Sequence, residues 1–239
     1  MENRMQAERP ATWRVFEPGL LDYGEALRLQ HHLVAARKSG ALASDLLILL
    51  EHPPVFTLGR RGGRENLIVP ADFLANTGIQ VIQAERGGNI TYHGPGQLVA
   101  YLILDLEAAK IGVKDFVHFL EEVMLRTAAE WGVAAERNPV NRGIWVGNSK
   151  MGSIGIAIRR GITYHGLAFN VDVSLEPFGW INPCGLPGVG VTSLKLASGR
   201  SPSMPSVRRV FKGHLQTIFG SALVALKKDE VDDITTPGS

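Results

Sequence analysis

Three separated stretches hold the side chains with chemistry to offer. The first is Arg86-Gly87-Gly88-Asn89-Ile90-Thr91-Tyr92-His93-Gly94-Pro95-Gly96-Gln97. Its glycines build no core, because Gly supplies no packing area and costs the most backbone entropy to order. What they offer is a backbone that approaches a ligand closely, exposed N–H donors, and beside them an imidazole that changes charge near neutral pH. The stretch reads as a binding loop, although glycine-rich connections are also often only tight turns. Ile162-Thr163-Tyr164-His165-Gly166 then repeats Ile90-Thr91-Tyr92-His93-Gly94 residue for residue, with an arginine and a glycine upstream and an apolar run after it. No fixed period recurs, so this is not a repeat architecture. Two copies of one local structure facing a shared pocket fit better.

The second stretch, Asn182-Pro183-Cys184-Gly185-Leu186-Pro187-Gly188, holds the only cysteine. A cysteine placed for packing normally sits within an apolar strand or helix, whereas this thiol sits in a rigid turn, where reactive groups are carried. One cysteine forms no intramolecular disulfide and no metal cluster built on cysteine pairs. The third is Lys150, at the start of an expected strand. By composition alone a strand-end lysine is a surface group.

The elements that must position these groups follow from periodicity and punctuation. Residues 13–16 read as a first strand, and 20–38 as a helix with Asp22 in its first turn and Gly40 as its stop. The continuous apolar run 46–50 suits a strand covered on both sides. Pro53-Pro54 interrupts, 55–60 resumes extended structure, 70–76 makes a short helix and 79–82 a strand. The turn carrying Arg60, Arg61 and Arg64 is either a solvated loop or a docking patch for an acidic partner. The strongest helix is 114–131, with Phe116, Leu120, Val123, Met124 and Ala128 on one stripe and Glu121, Glu122 and Arg126 opposite. Residues 143–146, 150–158 and 162–171 form an antiparallel meander whose middle strand puts Met151, Ser153, Gly155 and Ala157 on one face. That small-residue face leaves room for a ligand, with Lys150 next to the gap. A last strand over 189–196, a linker over 198–205 and an amphipathic helix over 206–219 complete a single domain spanning 13–220. Residues 1–12 and 227–239 read as flexible termini.

Composition bounds the class. The chain has 239 residues, 45% of them hydrophobic and 20% charged, as in an ordinary globular protein with a sizeable core. The net charge of +2 is a mild basic bias, without the basic blocks and interleaved aromatics of a nucleic-acid binder. The apolar runs are too short to span a bilayer and the polar start lacks a signal-peptide centre, so a cytoplasmic location is the expectation.

Taken together, these stretches resemble the octanoyltransferases of lipoate biosynthesis, in the biotin/lipoate protein ligase-like superfamily. The matching residues are Arg86-Gly87-Gly88 with Thr91 to Gln97, Lys150 with Ser153-Ile154-Gly155, His165-Gly166-Leu167-Ala168 with Asn170, and Asn182-Pro183-Cys184-Gly185. They occur in the family's order. Met151-Gly152 after the lysine is a small departure that touches pocket shape more than chemistry. The resemblance implies an α+β fold, a mixed and largely antiparallel β-sheet packed with helices. It implies an acyltransferase that moves an octanoyl group from octanoyl-acyl carrier protein to a lysine of lipoyl domains, those of 2-oxoacid dehydrogenase complexes and of the glycine cleavage H protein. Neither cofactor nor metal is expected, and neither nucleic acid nor membrane as partner. Cys184 would form the acyl-thioester with Lys150 as its acid/base partner. Arg86, Gly87, Gly88, Asn89, Ile90, Thr91, Tyr92, His93, Ser153, Ile154, Gly155, Gly166, Leu167 and Ala168 would line the acyl site, with His165 as a further wall.

The chemistry is self-consistent. Thioester to amide is downhill, so no ATP is needed, and a thiol nucleophile conserves the thioester in a covalent intermediate. Burial of the lysine, or an ammonium–thiolate ion pair, would ready the thiol, and the same lysine could then take a proton from the acceptor amine. The rivals are an ATP-dependent lipoate or biotin ligase on the same fold, a cysteine hydrolase using His93 or His165, and a non-catalytic acyl-binding module.

Overall fold

The computed structural model describes residues 12–139, 141–182 and 189–235. The chain begins with β1 (Thr12–Leu20), α1 (Tyr23–Ser39), β2 (Leu46–Glu51), β3 (Val55–Leu58), α2 (Ala71–Thr77), β4 (Gln80–Gln83), β5 (Ile90–His93) and β6 (Gln97–Ile103). There follow α3 (Val113–Ala129), β7 (Glu136–Arg137), β8 (Gly143–Val146), β9 (Ser149–Arg159) and β10 (Ile162–Asn170). The last are β11 (Gly190–Val191), α4 (Leu194–Ser198), α5 (Met204–Phe219), β12 (Ala222–Ala225) and α6 (Lys228–Thr235).

The two continuous apolar runs, in β2 and β6, pair antiparallel at the middle of a nine-stranded sheet ordered β12-β1-β2-β6-β10-β9-β8-β7, with β11 joined to β9. Nearly every residue of β2 and β6 is buried, as strands covered on both faces must be. One face packs Leu47, Leu49, Leu98 and Ala100 against Phe116, Leu120 and Met124 of α3 and Phe211 and Leu215 of α5. The other packs Leu46, Ile48 and Tyr101 against Leu33 and Val34 of α1. Helix α1 is held at its start by Asp22, whose Oδ1 accepts from the Gly24 and Glu25 N–H groups, and stops at Gly40, φ 86°.

Among the described residues only β1 with β2 and β12, β3 with β4, and β11 with β9 are parallel, so the mixed, largely antiparallel sheet packed with helices is the fold. A separate three-stranded sheet, β4-β3-β5, carries its own core of Phe56, Tyr92, Phe178 and Ile181.

Several expectations need correction. Residues 90–93 are not loop but strand β5, because Val55–Leu58 supplies a full antiparallel partner. The expected strand over 189–196 is only Gly190–Val191, after which the Ser193 hydroxyl caps the short helix α4. The body does not end at 220: β12 pairs with β1, and α6 buries Val231 in the core on the α1 side. Val231 and Ile234 are the apolar residues of a helix otherwise rich in charge, which is why the segment resembled a solvated tail. Residues 236–239 lie outside the described residues.

Candidate active site

Between the β9–β10 hairpin, the 86–89 turn and the N-terminus of α1 lies a cavity of about 500 Å³. Its lining takes in Arg86, Gly87, Gly88, Asn89, Ile90, Thr91 and His93 from one stretch, Ser153, Ile154 and Gly155 from β9, and His165, Gly166, Leu167 and Ala168 from β10. Lys150 lies on the same wall. These stretches, far apart in the chain, are thus neighbours: Gly166 pairs with Gly155 and Ala168 with Ser153, and the Gly87 N–H donates to Ile156 O.

Tyr92 does not line the cavity. Alternation along β5 sends its ring to the opposite side, against Phe56 and Phe178, at centroid distances of 5.3 and 5.4 Å. Cys184 lies outside the described residues. The chain on either side of it is fixed: the Asn182 N–H donates to Asn66 O at 2.9 Å, and Gly190–Val191 pairs with Ser149–Lys150.

The turn at 86–89 is built around Arg86. Its Nη2 donates to Thr57 O (2.7 Å) and Thr57 Oγ1 (2.8 Å), Nε donates to the same hydroxyl (3.2 Å), and Nη1 donates to Gly87 O (3.1 Å). The guanidinium therefore binds the protein's own backbone. Gly87 N donates to Ile156 O at 2.9 Å, which lays the turn across β9. A Cβ at Gly155 would stand 3.0 Å from both Arg86 Cδ and Gly87 O, so that crossing needs glycine in β9.

A chain of hydrogen bonds continues from Thr57. Gln97 Nε2 donates to Tyr92 O and Asn170 Oδ1, leaving Oε1 to accept from His93 Nδ1 at 2.7 Å, while His93 Nε2 faces Thr57 Oγ1 at 3.4 Å. His52 donates from Nδ1 to Leu21 O and accepts from Tyr101 Oη at 2.7 Å. Burial holds these rings neutral: His52 is pushed down to about 4, and His165 to about 3 by burial and then by Arg86. His93 is held well below its ordinary value by burial first, then by His52 and Arg86. A general base works best with a pKa near the operating pH, a condition that these lowered values do not meet.

His93 and His165 both line the cavity, yet they are not copies of one structure. His93 ends a regular strand; His165 has φ 58°, which breaks the alternation of β10 and stacks its ring on that of Tyr164 at 4.9 Å.

Lys150 is buried, and its Nζ donates to Asn141 Oδ1 at 2.5 Å beneath the Trp145 ring, 5.3 Å from its centroid. Room for the lysine stem comes from Gly143, at φ 128°, where a Cβ would collide with Gly152 O and meet Lys150 Cε at 3.0 Å. Gly143 is held by Glu121, whose Oε1 accepts its N–H at 3.0 Å. Glu121 is thus not on the solvent face of α3: it is fully buried, with Arg137 at 3.4 Å and Arg142 at 3.7 Å. Sequence reasoning missed both Glu121 and Asn141, since neither lies in a motif or breaks the helical stripe. A larger groove between β1, α1, α5 and α6 contains none of the candidate site residues.

The family model described as the lipoyl protein ligase A/B catalytic domain matches residues 22–216. An octanoyltransferase of Desulfotalea psychrophila is 49% identical over 208 residues, 86% of this chain and 93% of that protein. One of Caldicellulosiruptor bescii is 43% identical over 218 residues, 90% and 95% of the two chains. In fold, the chain is similar to a bipartite lipoate protein ligase from Thermoplasma acidophilum (TM-score 0.72, 15% identity, 95% of this chain and 91% of that one). It is also similar to a lipoate-protein ligase A bound with ATP (TM-score 0.71, 14% identity, 94% and 92%). The chain belongs to the octanoyltransferases, within the lipoyl protein ligase A/B catalytic-domain family.

Proposed function

We propose that this protein transfers an octanoyl group from the thioester of an acyl carrier protein to a lysine amine of a lipoyl domain, through a thioester on Cys184 with Lys150 as the proton carrier. The observation that carries the reading is the position of Lys150, a buried amine on the wall of the cavity and directly paired, through β11, with the chain that follows the thiol. The neutral, buried histidines disfavour the cysteine hydrolase, which needs one of them as base.

The steps balance without another reactant. The Cys184 thiol gives its proton to Lys150, the thiolate attacks the donor carbonyl, and the carrier thiolate leaves with that proton. The acceptor lysine then loses a proton to Lys150 as its nitrogen attacks the Cys184 thioester. The Cys184 thiolate, as leaving group, takes a proton back. A lipoate protein ligase of the same fold has an E2 lipoyl domain as its partner, which supports a lipoyl domain as acceptor here. The 2-oxoacid dehydrogenase complexes and the glycine cleavage H protein supply such domains, and the cytoplasm is where this reading places the enzyme.

Intact-mass measurement after mixing with octanoyl-acyl carrier protein tests it. The wild type should gain one octanoyl group, Cys184→Ala none. Equal labelling of both, or transfer that starts only from free octanoic acid with ATP, would overturn the reading in favour of a ligase.

A further inference from the structure

The inner end of the cavity carries polar atoms that an acyl tail cannot satisfy. Within the cavity lining, the Arg142 side chain is 54% exposed, whereas Tyr23 and His165 as whole residues are 2% and 1% exposed, so these two belong to its enclosed part. Both line the cavity. Tyr23 Oη, His165 Nδ1 and His165 Nε2 have no hydrogen-bond partner among the described residues. Their neighbours are satisfied: His52 is bonded on both nitrogens, and His93 is bonded to Gln97 and faces Thr57. The unmet capacity is therefore confined to Tyr23 and His165, two side chains facing one space. Leaving buried polar atoms unpaired is unfavourable, and structures commonly meet such a need with an ordered water.

The placement of His165 is built rather than incidental. Its left-handed backbone is uncommon for a residue other than glycine. Its N–H donates to Gln30 Oε1 at 2.6 Å, and Gln30, itself buried, is braced by Nε2 donating to Ala26 O at 3.2 Å. Helix α1 thus carries Tyr23 and, two turns later, the residue that holds His165 in place.

We propose that Tyr23 and His165 hold an ordered water at the inner end of the cavity and that this hydrated end sets the upper limit of acyl chain length. The proposal rests on the acyl-transfer reading of the cavity. A chain that stops short leaves the water bonded; a longer one must expel it and bury its methyl end against Tyr23 Oη and the His165 nitrogens. Tyr23 and His165 are specificity-determining residues on this account, remote from the bond that breaks.

The test compares octanoyl-, decanoyl- and dodecanoyl-acyl carrier protein as donors to a lipoyl domain. Tyr23→Phe removes one hydroxyl with no change of shape, and His165→Asn keeps a side chain that tolerates the left-handed backbone. In the wild type kcat/KM should fall at least about tenfold from octanoyl to decanoyl, a step of about 1.4 kcal/mol. Tyr23→Phe should raise the decanoyl-to-octanoyl ratio about fivefold or more. A merely structural role would lower every chain length alike and leave the ratio unchanged. A crystal structure of the octanoyl-loaded protein should show a water bonded to Tyr23 and His165. Wild-type transfer of octanoyl with a ratio unmoved by either variant, or hydrocarbon packed directly on both side chains, overturns this proposal alone. Failure of the wild type to transfer any chain overturns the transfer reading itself.

Discussion

Lys150 Nζ rests 2.5 Å from Asn141 Oδ1, and Asn141 is itself fixed at both ends: its N–H donates to Asn138 Oδ1 at 3.1 Å and its carbonyl accepts from Trp145 Nε1 at 3.1 Å. A neutral oxygen aims the amine without an ion pair. Asn141→Ala should therefore slow octanoyl transfer by about tenfold, and Asn141→Asp by more, since a carboxylate would hold the ammonium and its proton. Single-turnover rates, with the thermal midpoint as control for folding, decide it; unchanged rates in both variants would make the contact incidental.

Under the proposed mechanism Lys150→Ala removes the proton carrier itself. Loss of a positioned acid–base group costs about 10²–10⁴-fold, so transfer should drop in that range while binding of the octanoyl donor changes little. Titration of the donor beside stopped transfer assays separates the two quantities. A variant transferring at full rate would take Lys150 out of the mechanism.

Gly143→Ala probes the space behind that lysine. The backbone there, at φ 128°, is accessible almost only to glycine, and the added methyl would collide with Gly152 O and press on Lys150 Cε. The variant should lose roughly 2 kcal/mol or more of stability and be slower than Asn141→Ala in transfer. Denaturation midpoints and rates both matching the wild type would show that the strand relaxes around it.

Thr57 is the hinge of the 86–89 turn. Thr57→Val removes the hydroxyl that accepts from Arg86 Nε and Nη2, and a hydrogen bond to a charged group is worth about 1.5–3 kcal/mol. For a chain of this size the thermal midpoint should fall by about 4–8 °C, with Thr57→Ser restoring it. Equal midpoints for the valine and serine variants would contradict the assigned bonds.

Acid sensitivity should come from the buried imidazoles. In an unfolded chain these rings take up protons below about 6.5, whereas the folded protein keeps His52 neutral down to about 4 and His165 to about 3, with His93 also held low. As pH falls from 6.5 the unfolded state binds more protons, so stability must fall, by roughly 1.4 kcal/mol per pH unit for each ring still neutral, levelling off below the folded values. Asp45, whose carboxyl burial raises, opposes the trend. Urea midpoints at pH 7 and pH 5 give the answer: equal values would mean that the rings charge in the folded state.

Most of what surrounds the cavity was legible in the residues because it is local. The turn residues Gly147-Asn148 and Arg160-Gly161 fix the β9 hairpins; of the expected small-residue face Ser153 and Gly155 line the cavity, whereas Met151 packs in the core and Ile154 and Ile156 of the other face line the cavity too. What escaped depends on contacts far apart in the chain. Glu121 fits the polar face of an amphipathic helix until Gly143 arrives to bond it. Tyr92 belongs to the matching motif as a string of letters, yet in a strand every second letter faces the other way. Strand β12 has too little length to announce itself and exists because β1 offers a parallel edge. The φ of 58° at His165 has no sequence signal, since its twin at His93 sits in an ordinary strand.

That last strand has a practical meaning. β12 is the far margin of the sheet, separated from β9 by β1, β2, β6 and β10, a lateral distance of about 24 Å at ~4.8 Å per strand. A linker anchored beside β12 would hold the protein on a bead or sensor chip with the cavity turned outward.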